Sequence, residues 1–221
     1  MKWLLHFSKS IDMFFQFIQQ LLLVVESCCA FYFCTMSHAY QIHKQDAAYY
    51  LTLTAVEWAD AFMRREHKQL LCDSLNYCVE TKGLEIFAYV IMSSHMHMIA
   101  RAKNNNLSDI LRDFKKYTST MLVKDFRTQT ESRREWMLDL FKAGGKKQKK
   151  KSSMQVWQYA NHAMEVYSPK FTLSKILYIH NNPVEAGLVE RAEDYLFSSA
   201  QDYSERKGPV KITLINLHNL F

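Results

Sequence analysis

The sequence lacks the features that define several common classes of protein. Its five cysteines form no CxxC pair and no paired disulfide framework, which argues against a secreted disulfide scaffold and a thiolate zinc site. No run of about 20 nearly uninterrupted apolar residues is present, so we predict no membrane helix. No internal repeat is evident. A reduced, cytoplasmic setting fits the cysteines, which are Cys28, Cys29, Cys34, Cys72 and Cys78.

The composition is that of a folded, basic protein. The chain has 221 residues, of which 48% are hydrophobic, and this is enough to bury one core in one domain of ordinary size. The formal net charge is +6. A positive balance favours polyanionic partners, because lysine and arginine neutralise phosphates and release counterions.

The first 35 residues differ from the rest. They are apolar and aromatic, but polar residues such as Asp12 and Glu26 interrupt any clean span, and no small-residue cleavage site follows. Met36, followed by Ser37, is a second candidate start. Our hypothesis is that residues 1–35 are an upstream extension, added by a mis-set start codon. The folded domain then spans residues 36–221.

The first half of this domain shows an alternation of strand and helix patterns. Residues 49–56 alternate and are rich in β-branched and aromatic side chains, which predicts a strand. Residues 62–81 have apolar positions at helical spacing, and Gly83 follows as a stop signal. Residues 84–92 and 95–102 are predicted strands joined as a hairpin by Ser93 and Ser94. The predicted order is βαββ.

The second half is predicted to be mostly helical. A helix capped by Asn106 or Ser108 carries apolar residues on one side and Lys or Arg on the other, and residues 131–141 form a short helix. Residues 143–153 contain two glycines and a dense positive run, which predicts a mobile basic surface loop. Residues 154–167 are a strand or an irregular extended segment. A C-terminal tail completes the domain.

The last predicted helix has clear start and stop signals. Ser168 with Pro169 is a favoured cap and first-turn pair, and Asn182 with Pro183 is expected to end the helix after about Asn181. Together the elements predict an α+β fold of the ferredoxin-like type, with helices packed on one face of an antiparallel sheet.

Two histidines on one predicted strand are candidate metal ligands. His95 and His97 are separated by one residue, so on a strand both imidazoles turn to one face while Met96 and Met98 turn to the other. Such a pair on its own is more often incidental than a metal site. A third ligand and a reactive group are needed to give it a function.

The last helix supplies candidates for both. Tyr178 and Asn182 are four residues apart and therefore share one helix face. A nearby cation stabilises a phenolate, lowers the tyrosine pKa from its usual value of about 10, and orients a phosphate for in-line attack. The alternative is that Tyr178 is simply a half-buried helix aromatic.

Several segments together resemble one known family. AYVIMSSHMHMI (88–99) is similar to the histidine strand pair of the insertion-sequence-200-like and REP-associated tyrosine transposases, which are single-tyrosine HUH endonucleases. LYIHNNPVEAGLVERAEDYLFSSAQDY (177–203) resembles the helix and tail of that family. LSDILRDFKKYTS, SRREWMLDLF and WQYANHAMEVYS resemble its intervening segments in the same order. The resemblance covers about residues 36–203 and leaves out the first 35.

The resemblance implies roles for particular residues. His95 and His97 would be metal ligands, Tyr178 the nucleophile and Asn182 the third ligand, with Tyr117 as the rival tyrosine. This chain departs from the family pattern at Ser94, where many relatives have Asn, and at Ala163, where Pro is common. Neither change removes a catalytic atom. His162 and His180 have either a supporting role near the site or an ordinary surface role.

The resemblance also implies a cofactor and a substrate. Imidazole, amide and phosphate ligands suit Mg²⁺ or Mn²⁺. The expected activity is transposition of single-stranded or hairpin DNA, by nicking and rejoining through a 5′-phosphotyrosine link, by a monomer or a homodimer. Trp136 and Trp157 are candidate base-stacking residues. The candidates for contact with the DNA backbone are Arg112, Lys115, Lys116, Arg133, Arg134, Lys146, Lys147, Lys149, Lys150 and Lys151.

Two other interpretations stay open at this point. A ferredoxin-like module that binds structured DNA or RNA without catalysis would explain the charge, but it gives no reason for His95, His97, Tyr178 and Asn182 to occur together. A decayed transposase that folds without turning over is the third.

Overall fold

A computed structural model describes residues 41–128, 132–147 and 154–215. The predicted extension, residues 1–35, lies outside the described residues. The strands are β1 (Tyr49–Thr54), β2 (Leu84–Ile91), β3 (His95–Ala102) and β4 (Met164–Glu165). The helices are α1 (Arg65–Lys82), α2 (Leu107–Thr128), α3 (Arg134–Lys147) and α4 (Pro169–Glu185). Among the described residues, no helix is long and apolar enough to cross a membrane.

The four strands form one antiparallel sheet in the order β2-β3-β1-β4. Thr52 pairs with His97 and Thr54 with His95, so these residues share one face of the sheet. Met96 and Met98 are fully buried on the other face. The predicted alternation along β3 is therefore confirmed, and so is the α+β fold class.

Helices cover both faces of the sheet. On the Met98 face, Cys72 of α1 lies close to Tyr89, which pairs with Met98, and α1 packs against α2. Helix α4 contacts β2 and β3, and its Tyr178 ring lies against His97 on the opposite face. The predicted single layer of helices thus holds for α1, while α4 forms a second layer over the histidines.

The predicted basic loop at residues 143–153 is wrong over its first five residues, because α3 continues through both glycines to Lys147. A tertiary contact explains the glycine at position 144. A Cβ on Gly144 would lie 2.9 Å from Cγ1 of Val56, so the helix approaches the 3-10 turn Val56–Trp58 at a distance that only glycine permits. Residues 148–153 lie outside the described residues.

The predicted end of the last helix is also wrong, because α4 runs past Pro183 to Glu185. Proline lacks an N–H group and costs a helix one hydrogen bond. That loss falls in the last turn, where Pro183 is buried and its carbonyl accepts from Leu188 N at 2.9 Å. The predicted start is confirmed, since Ser168 Oγ accepts from Phe171 N at 3.3 Å with Pro169 next.

Candidate active site

The two histidines of β3 lie side by side on the face that α4 covers. The ring centroids of His95 and His97 are 4.8 Å apart. His97 is almost fully buried, whereas His95 lies nearer the end of the strand and is partly exposed. Two imidazoles this close can present nitrogen atoms to one cation.

Hydroxyl groups hold the Nδ1 atom of both rings. His97 Nδ1 lies 2.9 Å from Tyr50 Oη and 2.9 Å from Thr52 Oγ1, both on β1. His95 Nδ1 lies 3.1 Å from Ser94 Oγ. When Nδ1 carries the proton and donates to these oxygens, Nε2 keeps a lone pair for a metal ion. Within the described part of the chain, neither Nε2 has a hydrogen-bond partner.

Both imidazoles are neutral at physiological pH, which is the protonation state of a metal ligand. Burial, with smaller contributions from His95 and Lys175, lowers the pKa of His97 to about 3. Burial also lowers the pKa of His95 below its usual value. The charge and the hydrogen bonds of this pair therefore fit a divalent cation.

Tyr178 of α4 is an exposed tyrosine that the fold brings to the His97 imidazole. Its ring meets the His97 ring edge-on at 5.4 Å and the Tyr50 ring at 6.3 Å, and it is 42% exposed. On the same helix, Ile176 and Ile179 are fully buried, whereas Tyr178 lies on a part of the helix that solvent reaches. The phenol thus has both a neighbouring imidazole and access to solvent.

The segment after α4 anchors that helix from its other side. His180 Nε2 lies 2.9 Å from Ser199 Oγ, and its ring packs 5.1 Å from the Tyr203 ring. Ser199 Oγ in turn accepts from Tyr89 N on β2 at 2.9 Å. Burial lowers the pKa of His180 to about 4. His180 therefore fastens α4 to the sheet and does not face the imidazole pair.

Asn182 lies one turn after Tyr178 on α4 and is half-buried. Its assignment as the third metal ligand stays a prediction. Over the described ranges, no cluster of three or more His, Cys, Asp and Glu side chains is placed to hold a metal ion. A cation between His95 and His97 would therefore need an amide oxygen, such as that of Asn182, or oxygens of the substrate.

Three residues at the site escaped the sequence analysis. Tyr50 stacks on His97 at 5.5 Å, and burial raises the pKa of its phenol to about 12. Lys175 Nζ lies 4.8 Å from the Tyr50 ring centre and 5.6 Å from that of Tyr178. Trp58 meets the His95 ring at 5.3 Å. Of these three residues, only Lys175 could have been found from the sequence, because it lies three residues before Tyr178 and therefore on the same helix face.

The basic residues predicted to contact DNA have varied surroundings. Lys115 Nζ donates to three backbone carbonyls, of Gln158, Tyr159 and Ala160, at 2.8 to 3.4 Å. Arg112 pairs with Asp109 and Asp113 on its own helix. Lys116 and Lys146 are exposed, and Arg133 and Arg134 are half-buried at the start of α3.

The other four basic residues predicted to contact DNA lie at the end of α3 or outside the described residues. Lys147 is the last residue of α3, while Lys149, Lys150 and Lys151 lie outside the described residues. Contact of any of the ten with DNA stays a prediction.

The two tryptophans predicted to stack on bases differ in their exposure to solvent. Trp157 is only 2% exposed and donates from Nε1 to Thr118 Oγ1 at 2.9 Å, so the proposal that it stacks on bases is wrong. Its indole fills the core beside Phe62 and Phe114. Trp136 is 53% exposed on α3. Tyr117 is exposed on α2 and, in the portion the structure describes, makes no ring contact with either histidine.

A family model of known proteins matches nearly half of the chain. Residues 45–144, which include both histidines of β3, match the family model described as "Transposase IS200 like". Over these residues the chain is similar to the IS200-like transposases. The resemblance that the sequence predicted is therefore confirmed over residues 45–144. No curated protein matches the chain.

A solved structure supports the fold of this chain over a longer stretch. The structure of a REP-associated tyrosine transposase bound to a REP hairpin is similar with a TM-score of 0.51. The two chains are 19% identical, and the similarity covers 76% of this chain and 85% of the other. Helix α4 with Tyr178 lies outside the family-model match. Its placement against His97 is consequently the observation that completes the candidate site.

Proposed function

We propose that this protein is a transposase that cuts and rejoins single-stranded or hairpin DNA, with Tyr178 as the nucleophile. The observation that carries the proposal is the edge-on approach of the Tyr178 ring to His97 at 5.4 Å, with His95 beside it. Two separate elements, β3 and α4, converge there. The family match and the hairpin bound by the similar solved structure support the substrate class.

The chemistry is a transesterification that stores the bond energy in a covalent link. Tyr178 Oη attacks the phosphorus of a DNA phosphodiester and loses its proton. The bond from phosphorus to the 3′ oxygen breaks, and that oxygen takes up a proton to become a free 3′-hydroxyl. The product is a 5′-phosphotyrosine. Attack of a 3′-hydroxyl on this link reverses the step and joins two strands.

His95 and His97 would hold a divalent cation, Mg²⁺ or Mn²⁺, with Asn182 as the third protein ligand. When bound, such a cation polarises the phosphate and stabilises the phenolate form of a nearby tyrosine. Tyr50 and Thr52 orient the His97 ring through Nδ1. Lys175 adds a fixed positive charge beside Tyr178, which favours both the phenolate and the approaching phosphate.

We also propose a mode of assembly and a location for the protein. Tyr178 meets His97 of its own chain, so one chain can act in cis as a monomer, and a homodimer would contain two such sites. We propose a cytoplasmic location, which the free, buried thiols of Cys72 and Cys78 support, because cysteines stay reduced in that compartment. The basic residues of α2 and α3 would contact the DNA backbone.

A covalent-adduct assay tests the proposal. The full-length protein is incubated with Mn²⁺ and a pool of hairpin oligonucleotides that have randomised stems and single-stranded tails. A 3′ label should migrate with the denatured protein, while a 5′ label should leave as a shorter fragment with a 3′-hydroxyl. Tyr178→Phe should abolish both products, and Tyr117→Phe, a matched change of the rival tyrosine, should leave them intact.

The outcomes distinguish the enzyme from a binder. EDTA, His95→Ala and His97→Ala should each remove the adduct while the protein still binds the hairpins. Tight binding with no adduct under Mg²⁺ or Mn²⁺ would instead favour a non-catalytic nucleic-acid-binding module. An adduct that persists in Tyr178→Phe but disappears in Tyr117→Phe would assign the nucleophile to the other helix.

A further inference from the structure

A row of aromatic rings extends from the candidate site in two directions. One arm, the helix arm, consists of Tyr167, Phe171 and Lys175 at the start of α4. The other arm is the single residue Trp58. Tyr178, His97 and His95 lie between the two arms, so the scissile phosphate of the proposed reaction would sit near the middle of the row.

The helix arm is a continuous set of ring and cation contacts. Tyr167 stacks on Phe171 with an angle of 11° between the ring planes and 5.4 Å between the centroids. Lys175 Nζ lies 5.4 Å from the Phe171 centroid and 5.6 Å from the Tyr178 centroid. Tyr167 is 79% exposed, so the ring face that does not contact Phe171 is open to solvent.

The opposite arm depends on an unusual backbone. Glu57 and Trp58 have φ angles of 52° and 55°, a left-handed conformation that costs free energy for residues other than glycine. Hydrogen bonds hold this turn, since Trp58 N donates to Ala55 O at 3.1 Å and Ala59 N donates to Val56 O at 3.0 Å. The turn leaves the Trp58 indole 60% exposed beside His95.

The exposed rings and the lysine of this row indicate which form of DNA it would bind. Exposed ring faces stack on unpaired bases of any sequence, and a lysine between them attracts the phosphate backbone. A closed duplex shields its base faces, so it could use only the cation. A single strand that passes the candidate site meets ring faces on both sides of Tyr178. The row therefore fits single-stranded DNA better than a duplex stem.

We infer that Trp58 and Tyr167 are base-stacking platforms for the unpaired nucleotides on opposite sides of the phosphate that Tyr178 attacks. This inference rests on the proposed function for the position of the scissile phosphate. Each platform holds one flank of the strand, and together they fix the phosphate between the imidazoles and the phenol. They act on binding and positioning, and they take no part in bond breaking.

Anisotropy measurements in a cleavage-deficient background test the inference separately from catalysis. All proteins carry Tyr178→Phe, which keeps the ring, and the buffer contains EDTA. The probes are fluorescein-labelled hairpins of one fixed stem with a 5′ dT tail, a 3′ dT tail or no tail. Trp58→Ala and Tyr167→Ala are compared with Trp58→Phe, which keeps a stacking surface. Thermal melting checks that each variant is folded.

The expected result is specific for the tail. Trp58→Ala should weaken binding of one tailed hairpin about 5-fold to 100-fold, and Tyr167→Ala should weaken binding of the other by a similar factor. Binding of the tailless hairpin should not change. Trp58→Phe should retain most of the affinity for the tailed hairpin. The matched control Tyr77→Ala, which removes an aromatic that is 58% exposed on α1, should have no effect on either tail.

Three results would overturn the inference. They are unchanged affinity for both tails in Trp58→Ala and Tyr167→Ala, equal losses with the tailless hairpin, and equal losses in the Tyr77→Ala control. Because these measurements contain no cleavage step, absence of a covalent adduct in the earlier assay would leave their outcome unaffected. The two proposals can therefore fail independently.

Discussion

The two hydroxyls on His97 Nδ1 lead to a quantitative prediction about metal binding. If Tyr50 and Thr52 fix the tautomer that leaves Nε2 free, their joint removal should weaken the binding of Mn²⁺. Each oxygen lies 2.9 Å from Nδ1, so either one alone can still accept the proton. Tyr50→Phe and Thr52→Val should therefore each reduce affinity only a few-fold, and the double variant should show a loss larger than their product.

The size of the effect follows from burial. His97 is 5% exposed, so water cannot replace the lost oxygens, and an unsatisfied buried polar group costs about 1–3 kcal/mol. Loss of the groups that orient a metal-binding histidine lowers metal affinity by roughly 10-fold to 100-fold. The double variant should fall in that range. A double-mutant cycle gives the coupling between the two hydroxyls directly.

The assay is titration of Mn²⁺ followed by electron paramagnetic resonance, which reports the free ion and needs no DNA. Tyr195→Phe is the matched control. Burial raises the pKa of the Tyr195 phenol to about 12, as it does for Tyr50. The Tyr195 hydroxyl, however, donates to Ile91 O at 2.9 Å and not to a histidine. The control should bind Mn²⁺ like the unmodified protein. Equal Mn²⁺ affinity in the double variant and in the control would refute the reasoning.

Three further predictions concern charge, packing and pH. Lys175→Gln should slow single-turnover adduct formation on the order of 10-fold to 100-fold, because a charge about 6 Å from the phenol is lost, while Lys175→Arg should retain most of the rate. Similar rates for both variants would contradict this role. Gly144→Ala should lower stability to urea by about 1–3 kcal/mol, since its Cβ would overlap Val56, although alanine favours helices in general; a stabilised variant would disprove the close contact. Burial lowers the pKa of Lys115 to about 8, below its usual 10.5, so between these values the unfolded chain binds more protons and stability rises with pH. Lys115→Met should lack that rise in urea unfolding at pH 7.5 and 10, and an unchanged pH dependence would show that Lys115 keeps its proton when folded.

Much of the fold was predictable because its signals are local. The alternation of residues 95–102 determines that His95 and His97 share a face, since side chains on a strand repeat every two residues. Ser168 and Pro169 predict the start of α4, because the Ser168 side chain caps the first turn and the fixed φ of Pro169 suits that turn. The two errors arose because helix propensities treat glycine and proline as helix breakers. At Gly144 the propensity does not include the close approach to Val56, and at Pro183 it does not include the position in the last helical turn.

Local patterns in the chain were enough to identify the strand that carries the histidines, the helix that carries Tyr178, and the spacing of the residues on each. Which rings meet depends on how those elements pack together. The approach of Tyr178 to His97, the hydroxyls of Tyr50 and Thr52 on Nδ1, and the place of Trp58 beside His95 all join segments that are distant in the chain. Their contacts depend on strand register and helix packing, which arise from the burial of the whole core and not from any local pattern.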